Sequence, residues 1–225
     1  MEAELGFWAF SKSIVIPRLL DGMWITIKLT FITGFCGLLI GLFLAILRVS
    51  RLKILNWLSL IYITLFRGTP LLLQILFVYF ALPSVLDITL DSMPAGILAL
   101  SLNAGAYLAE IFRAGIQSIP KGQMEAGRAL GLSYYQVMFR IIIPQTYRRI
   151  IPPVVNEFSA LTKETSLVSV ISLSELLYVT QRIGAKYLRP WEVYFWAALG
   201  YLIVVLILSL TAAKLERRLE QKGGV

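Results

Sequence analysis

Histidine is absent from this 225-residue chain, and cysteine occurs once, at Cys36. Without histidine the familiar neutral-pH acid–base group is missing, and neither a Ser–His nor a Cys–His nucleophile pair can be assembled. A lone cysteine inside an apolar run permits no disulfide framework and no paired metal ligands; it reads as a small buried thiol. Charge is scarce too: 15% of residues are charged against 58% hydrophobic, with a mean hydropathy of +0.77. That balance excludes an ordinary soluble domain and marks a membrane protein. No Gly-x-x-x-x-Gly-Lys-(Ser/Thr) phosphate loop occurs, and there is no low-complexity tract or fixed-period repeat. The expectation is a non-enzyme with no metal and no cofactor. Glu2 and Glu4 stand where a signal peptide carries positive charge, so the first long apolar segment is expected to remain in the mature protein.

What is present is a series of runs about 20 residues long, the length that crosses a bilayer as a helix. Four lie at roughly 22–47, 54–82, 94–116 and 190–213. A fifth, about 147–171, is interrupted by Pro152 and Pro153 near its start and carries Lys163 and Glu164 inside it. Such interrupted segments are tolerated beside protein or water, and often line a pathway in transporters. Lys and Arg near the span ends give the orientation. With the N-terminus outside, 13 of the 21 basic residues fall on the inner side: Arg48, Arg51, Lys53, Arg113, Lys121, Arg128, Arg140, Arg148, Arg149, Lys214, Arg217, Arg218 and Lys222. The reading is an all-α multi-pass membrane helical bundle, 1–225 as a single domain, with five transmembrane helices, the N-terminus out and the C-terminus in. The net charge of +8 then reports topology and calls for no nucleic acid. Residues 172–189 are too polar for another span and read as a short helix and loop on the outer face, and Gly223-Gly224 as a frayed end. Trp24, Trp57, Trp191 and Trp196 read as interfacial anchors, and Lys28 as a snorkelling residue.

Between the third and fourth runs lies a polar loop, about 118–145, with an ordered pattern: Glu125-Ala126-Gly127, then Gly131, then Ile141, Ile143 and Pro144. Lys121 to Leu130 is built of helix formers, with Met124 and Ala129 available to one face. Gly131 can take the positive φ that ends a helix, and Ser133 suits the N-cap of a second helix through Tyr134, Val137 and Ile141. Two short helices joined at a glycine make a rigid knob, Pro144 marking the return to the membrane. Glu125 and Arg128, three apart, can pair with each other or face a partner.

Glu-Ala-(small)-x-x-x-Gly, nine residues, then Ile-x-(aliphatic)-Pro resembles the signature of the permease subunits of bacterial ABC importers. Arg67-Gly68-Thr69-Pro70, Ala106 to Arg113, Gly122-Gln123 and Lys163 to Leu167 are similar to the branch that imports polar amino acids. The resemblance covers roughly residues 20 to 215; Gly127 stands where a second Ala is usual, and Ile143 where Leu is. It implies a bacterial plasma (inner) membrane location, two separate ATPase subunits gripping the loop, a second permease subunit, identical or related, and an extracytoplasmic binding protein that delivers an amino-acid substrate. Lys121, Glu125, Ala126, Gly127, Arg128, Gly131 and Ser133 are then the ATPase-coupling residues.

Polar groups inside the runs are candidate contacts, because an ionisable group in hydrocarbon costs about 2.5–3.5 kcal/mol even on the lenient insertion scale. Glu157, with Asn156 beside it and Leu161 one turn on, offers a counter-charge for a cationic solute; pairing with an arginine of another helix is the alternative. Asn103 is a candidate solute contact or an interhelical hydrogen-bond former, and Gln74, a polar group in an apolar context, is a candidate solute contact. Glu110 is expected to pair with Arg113. Arg67 needs exposed carbonyls or an acid such as Glu157 or Glu110, and Pro70 breaks the second span. Lys163 and Glu164 read as part of an outer gate or as the anchor of a helix end. Together with the outer Asp87 and Asp91, Glu157 favours arginine, lysine or histidine as solute; glutamine or glutamate fits if Arg67 neutralises Glu157. A gradient-driven secondary transporter, an intramembrane enzyme and a non-transporting scaffold are the rival classes.

Overall fold

A computed structural model describes residues 6–50 and 52–221. Glu2, Glu4, Arg51, Lys222, Gly223 and Gly224, used in the charge and terminal readings, lie outside them. Eight helices carry the described chain: α1 (7–49), α2 (Lys53–Gly68), α3 (Leu71–Leu86), α4 (Ser92–Gln117), α5 (Lys121–Ala129), α6 (134–164), α7 (Leu176–Tyr187) and α8 (Pro190–Gln221). A 3₁₀ segment, Thr165–Ile171, continues α6. Helices α1, α4 and α8 are long and apolar enough to cross a bilayer, and α2 with α3 forms a fourth such unit bent by 104° at its break.

Three of these helices pass a proline by the same device, whereas Pro152 and Pro153 lie inside α6 with no such turn before them. Five-residue π turns at Ser11–Val15, Phe77–Ala81 and Met138–Ile142 each end two residues before a proline: Pro17, Pro83 and Pro144. Proline lacks an N–H and its ring strikes the carbonyl four residues back, so widening the preceding turn to an i→i−5 bond lets the helix continue. The N–H groups of Ile16, Leu82 and Ile143 donate five residues back, to Ser11, Phe77 and Met138. Two expectations change as a result. Pro144 does not mark a turn; the helix begun at Ser133 runs unbroken to Glu164, so the loop's second helix and the interrupted span are one rod. The first span likewise starts at Phe7, and its 42 residues to Arg48 reach about 63 Å, twice a hydrocarbon core of about 30 Å.

Helix α4 is the centre and α8 the periphery: 61% of the apolar window of α4 is buried against 11% for α8. The long α1–α4 seam is set by small residues, which let backbones approach where no hydrophobic drive separates helix from lipid. A Cβ on Gly41 would stand 2.8 Å from the Leu108 Cβ, and one on Gly105 would stand 2.4 Å from Ile40 Cγ2. The main core joins Leu29, Ile75, Ala99, Leu100, Leu108, Leu161 and Val168, drawn from five segments. A second cluster, Phe10, Val15, Leu19, Leu176, Ile183 and Val193, ties the start of α1 to α7 and α8. Trp24, Trp57 and Trp191 are exposed. Trp196, read as an anchor, instead packs against that second cluster and donates to Ser11 Oγ at 2.8 Å.

The outer segment holds one surprise for its polar composition. Glu175 is fully buried; it caps α7 by accepting from the Tyr178 N–H at 2.7 Å and accepts from Tyr201 Oη at 2.7 Å and Thr26 Oγ1 at 3.5 Å. Burial pushes its carboxyl above the usual carboxylate range, against these hydrogen bonds, which pull it down.

Candidate functional site

Two regions bring the candidate residues together. The first is the break between α2 and α3. Thr69 is held extended ahead of Pro70, and Pro70 itself is extended. This leaves carbonyls at the end of α2 without the helical donors that would otherwise meet them. Gln74 supplies it: its Nε2 donates to the Phe66 carbonyl at 2.8 Å, the Thr69 carbonyl at 3.1 Å and Thr69 Oγ1 at 2.8 Å. Asn103 on α4 completes the clasp, donating to the same Phe66 carbonyl at 3.2 Å and to Gln74 Oε1 at 2.9 Å. Gln74 is 9% and Asn103 4% exposed. The amide hydrogens of both side chains are therefore engaged within the chain, and in this conformation neither is a free solute contact.

Around the clasp the charges sort themselves. Arg113 grips Glu110 through Nε and Nη2 at 2.7–3.0 Å, the expected pairing. Arg67 also reaches Glu110, at 3.7 Å, and lies over the Tyr107 ring at 5.1 Å. Its side chain is 41% exposed, so it is not the buried cation the sequence suggested. Glu157 on α6 is half-buried and, among the described residues, has no hydrogen bond or ion pair; Glu164, two turns along, and Arg67 are the charges that act on it. Asn156 is exposed. Leu161 must be withdrawn as a solute contact: it is 1% exposed, in the middle of the main core. Lys163 is exposed and Glu164 half-buried. They are no simple helix end, because the 3₁₀ segment that follows buries Thr165, Val168 and Ile171.

The second region is the polar loop. Helix α5 ends in a Schellman motif: Gly131 has φ +83, its N–H donates to the Arg128 carbonyl at 3.0 Å, and the Leu132 N–H donates to the Gly127 carbonyl at 3.2 Å. Ser133 then opens α6 with a reciprocal capping box, accepting from the Gln136 N–H at 3.2 Å while its own N–H donates to Gln136 Oε1 at 2.7 Å. A small core of Ile119, Val137 and Ile142, with Met124 packed on it, closes the elbow; Ala129, expected on that face, is exposed. Gly127 is buried against α6, where a Cβ would stand 2.7 Å from Val137 Cγ2. Lys121, Glu125, Ala126, Arg128, Gly131 and Ser133 are all exposed. Arg128 donates to the Leu132 carbonyl at 3.2 Å and forms no ion pair with Glu125. Three residues that sequence reasoning passed over stand out beside them: Leu130, Tyr135 and Phe139 are 82, 69 and 65% exposed. Their signal was apolar character in a polar loop at positions its own small core does not need.

An all-helical bundle with helices long and apolar enough to cross a bilayer, an exposed, internally capped elbow and a clasped break between α2 and α3 fits a membrane component. The chain belongs to the family of binding-protein-dependent transport system inner membrane components, whose pattern it matches over residues 37–222. It is 40% identical to the L-cystine transport system permease protein TcyB of Bacillus subtilis over 95% of this chain and 92% of that one. It is equally 40% identical to the arginine transport system permease protein ArtQ of the same organism, over 94% and 97%. A solved amino acid ABC transporter with histidines superposes with a TM-score of 0.90 at 36% identity, covering 95% of this chain and 99% of that one. The chain is thus a non-catalytic permease component of the amino-acid ABC importer class, and ATP is hydrolysed by a partner ATPase.

Proposed function

We propose that this chain forms half of the translocation path of a bacterial inner-membrane importer for polar amino acids, with cationic solutes preferred. Five spans, the fifth being α6, place the N-terminus outside and the C-terminus inside. A second permease subunit faces it, an extracytoplasmic binding protein delivers the solute, and each permease docks one ATPase through α5 and the start of α6. Gly131, Ser133 and Gly127 hold that handle in shape, while Glu125, Arg128, Leu130, Tyr135 and Phe139 present it to the motor.

The observation that carries the solute preference is Glu157. It is a half-buried carboxylate with no ion pair among the described residues, while Arg67, the cation that could have neutralised it, turns to Glu110 and Tyr107. A carboxylate left uncompensated in a low-dielectric path favours a cationic solute, which supplies the missing partner. The relatives' substrates, cystine and arginine, leave both a neutral and a cationic solute open, so the test is a comparison. Binding-protein-dependent uptake of arginine by the Glu157→Gln variant is expected to fall about tenfold, the worth of a charge-assisted hydrogen bond, with glutamine uptake unchanged. Arginine uptake equal to that of the unaltered protein removes Glu157 from the path.

A further inference from the structure

A cavity of about 650 Å³ opens between α1 and α7 at the membrane end that carries the N-terminus of α1, and nothing in the transport cycle above uses it. Arg18, Arg182 and Lys186 line it together with Asp21, Ser174 and Tyr178. Three cations meet one acid. Arg18 and Lys186 flank the Tyr187 ring at 5.8 and 5.2 Å, and Arg18 donates to Tyr187 Oη at 3.5 Å, so an aromatic side chain holds two cations side by side. Arg182 is exposed and, among the described residues, has no hydrogen bond or ion pair, and Asp21 forms no ion pair there either. The cavity is therefore a cationic recess suited to a compact anion with several acceptor oxygens, which is the chemistry of a phosphate.

What lies beneath the recess identifies the source of that phosphate. On α1 the exposed face that begins at Asp21 continues through Trp24, Lys28, Phe31 and Phe35 at steps of three and four residues, one stripe of a helix. Trp24, Phe31 and Phe35 are 67, 55 and 62% exposed. From Asp21 to Phe35 the helix rises about 21 Å, enough to cover one leaflet of roughly 15 Å. Trp24 marks the interface just below the recess, and Lys28 can extend its ammonium upward to the same level. A soluble protein arriving from water could touch Arg182 and Lys186 but could not reach Phe31 or Phe35. We propose that the recess holds the phosphate headgroup of a glycerophospholipid, whose acyl chains run down the Trp24–Phe31–Phe35 stripe.

The full-length chain, purified from its membrane and reloaded from mixed phosphatidylglycerol and phosphatidylcholine vesicles, tests this through the lipid retained in native mass spectrometry. Retained phospholipid is expected, enriched in the anionic species, and resistant to millimolar inorganic phosphate. An Arg182→Gln, Lys186→Gln double variant should retain about twenty-fivefold less, at about fivefold for each cation near the headgroup. Arg182→Lys should behave as the unaltered protein, which separates loss of charge from loss of fold. A Phe31→Ala, Phe35→Ala variant should lose lipid while keeping the recess intact. Equal retention by the double variant and the unaltered chain overturns the proposal. Displacement by inorganic phosphate with the phenylalanine variant unaffected also overturns it, by showing a free-anion site. So does a double variant that keeps its lipid but no longer captures a soluble binding protein.

Discussion

The break at Gly68-Thr69-Pro70 and the elbow at Leu130 to Ser133 both turn the chain sharply, and the contrast between them lies in where the freed backbone groups find partners. The elbow is self-contained: every bond that closes it runs between residues no more than five apart, and the groups left over face water. The break is not self-contained: its carbonyls draw on Gln74 and, 37 residues away in sequence, on Asn103. A turn capped by its own neighbours can travel as a body without losing a bond. A turn capped from another helix cannot move relative to that helix without stranding polar groups. In the transporter proposed above, the elbow serves as the portable handle and the break as the fixed pivot.

Breaking the pivot should cost most. Gln74→Leu removes the donor to the Thr69 carbonyl and one of the two donors to the Phe66 carbonyl, and it leaves the Asn103 amide without its Gln74 acceptor, so two groups lose their partner at about 1–3 kcal/mol each. The expected destabilisation is roughly 2–5 kcal/mol, read from thermal unfolding of the purified protein, with uptake lost in parallel. If stability stays within about 0.5 kcal/mol of the unaltered protein, the clasp is not what holds the break.

The handle should respond in the opposite pattern. Gly131→Val forces a β-branched residue to φ +83, costing roughly 1–2 kcal/mol confined to the elbow. Uptake should fall by tenfold or more while the unfolding temperature barely moves, because the elbow's surroundings lie outside the main core. A variant that transports normally would show that the shape of the elbow does not matter to coupling.

Gly127→Ala is subtler, since its Cβ would meet Val137 Cγ2 at 2.7 Å. Overpacking of about 1 kcal/mol is expected, and Val137→Ala should restore most of it by vacating that space. A double-mutant cycle of stability and uptake measures the coupling between the two helices of the handle directly. Additive effects would mean that α5 and α6 do not rest on each other there.

How much of this was legible beforehand depends on the range of the interaction. The loop was read almost in full, because Gly131, Ser133 and their spacing act locally and sequence displays local chemistry. Its continuation through Pro144 was not, since proline normally ends a helix and the π turn that precedes this one leaves no mark in the sequence. The polar residues within the runs were located, but the amide roles of Gln74 and Asn103 depend on a contact between separate helices that no local pattern encodes. Leu161 was misplaced for a related reason: helical spacing puts it near the Glu157 face, and only packing against Leu29, Leu100 and Val168 shows that face turning into the core. The burial of Glu175 was invisible because a carboxylate in a polar segment reads as exposed until a tyrosine from α8 covers it.

That residue gives the smallest and most specific effect. Because burial raises the Glu175 carboxyl in the folded protein, the folded state holds a proton that the unfolded state releases once pH passes the ordinary glutamate value of 4.5. Stability must therefore fall as pH rises above 4.5 until the folded group has also ionised, and stay level beyond. Tyr201 and Thr26 donate to the carboxylate and moderate the slope without reversing it. Glu175→Gln keeps an acceptor for the Tyr178 N–H and removes the titration, so its unfolding temperature should be nearly flat across the interval in which the unaltered protein declines. Identical pH profiles for the two would mean that Glu175 ionises in the fold as freely as in water. The anchoring of α1, α7 and α8 would then owe nothing to a protonated carboxyl beneath Tyr201.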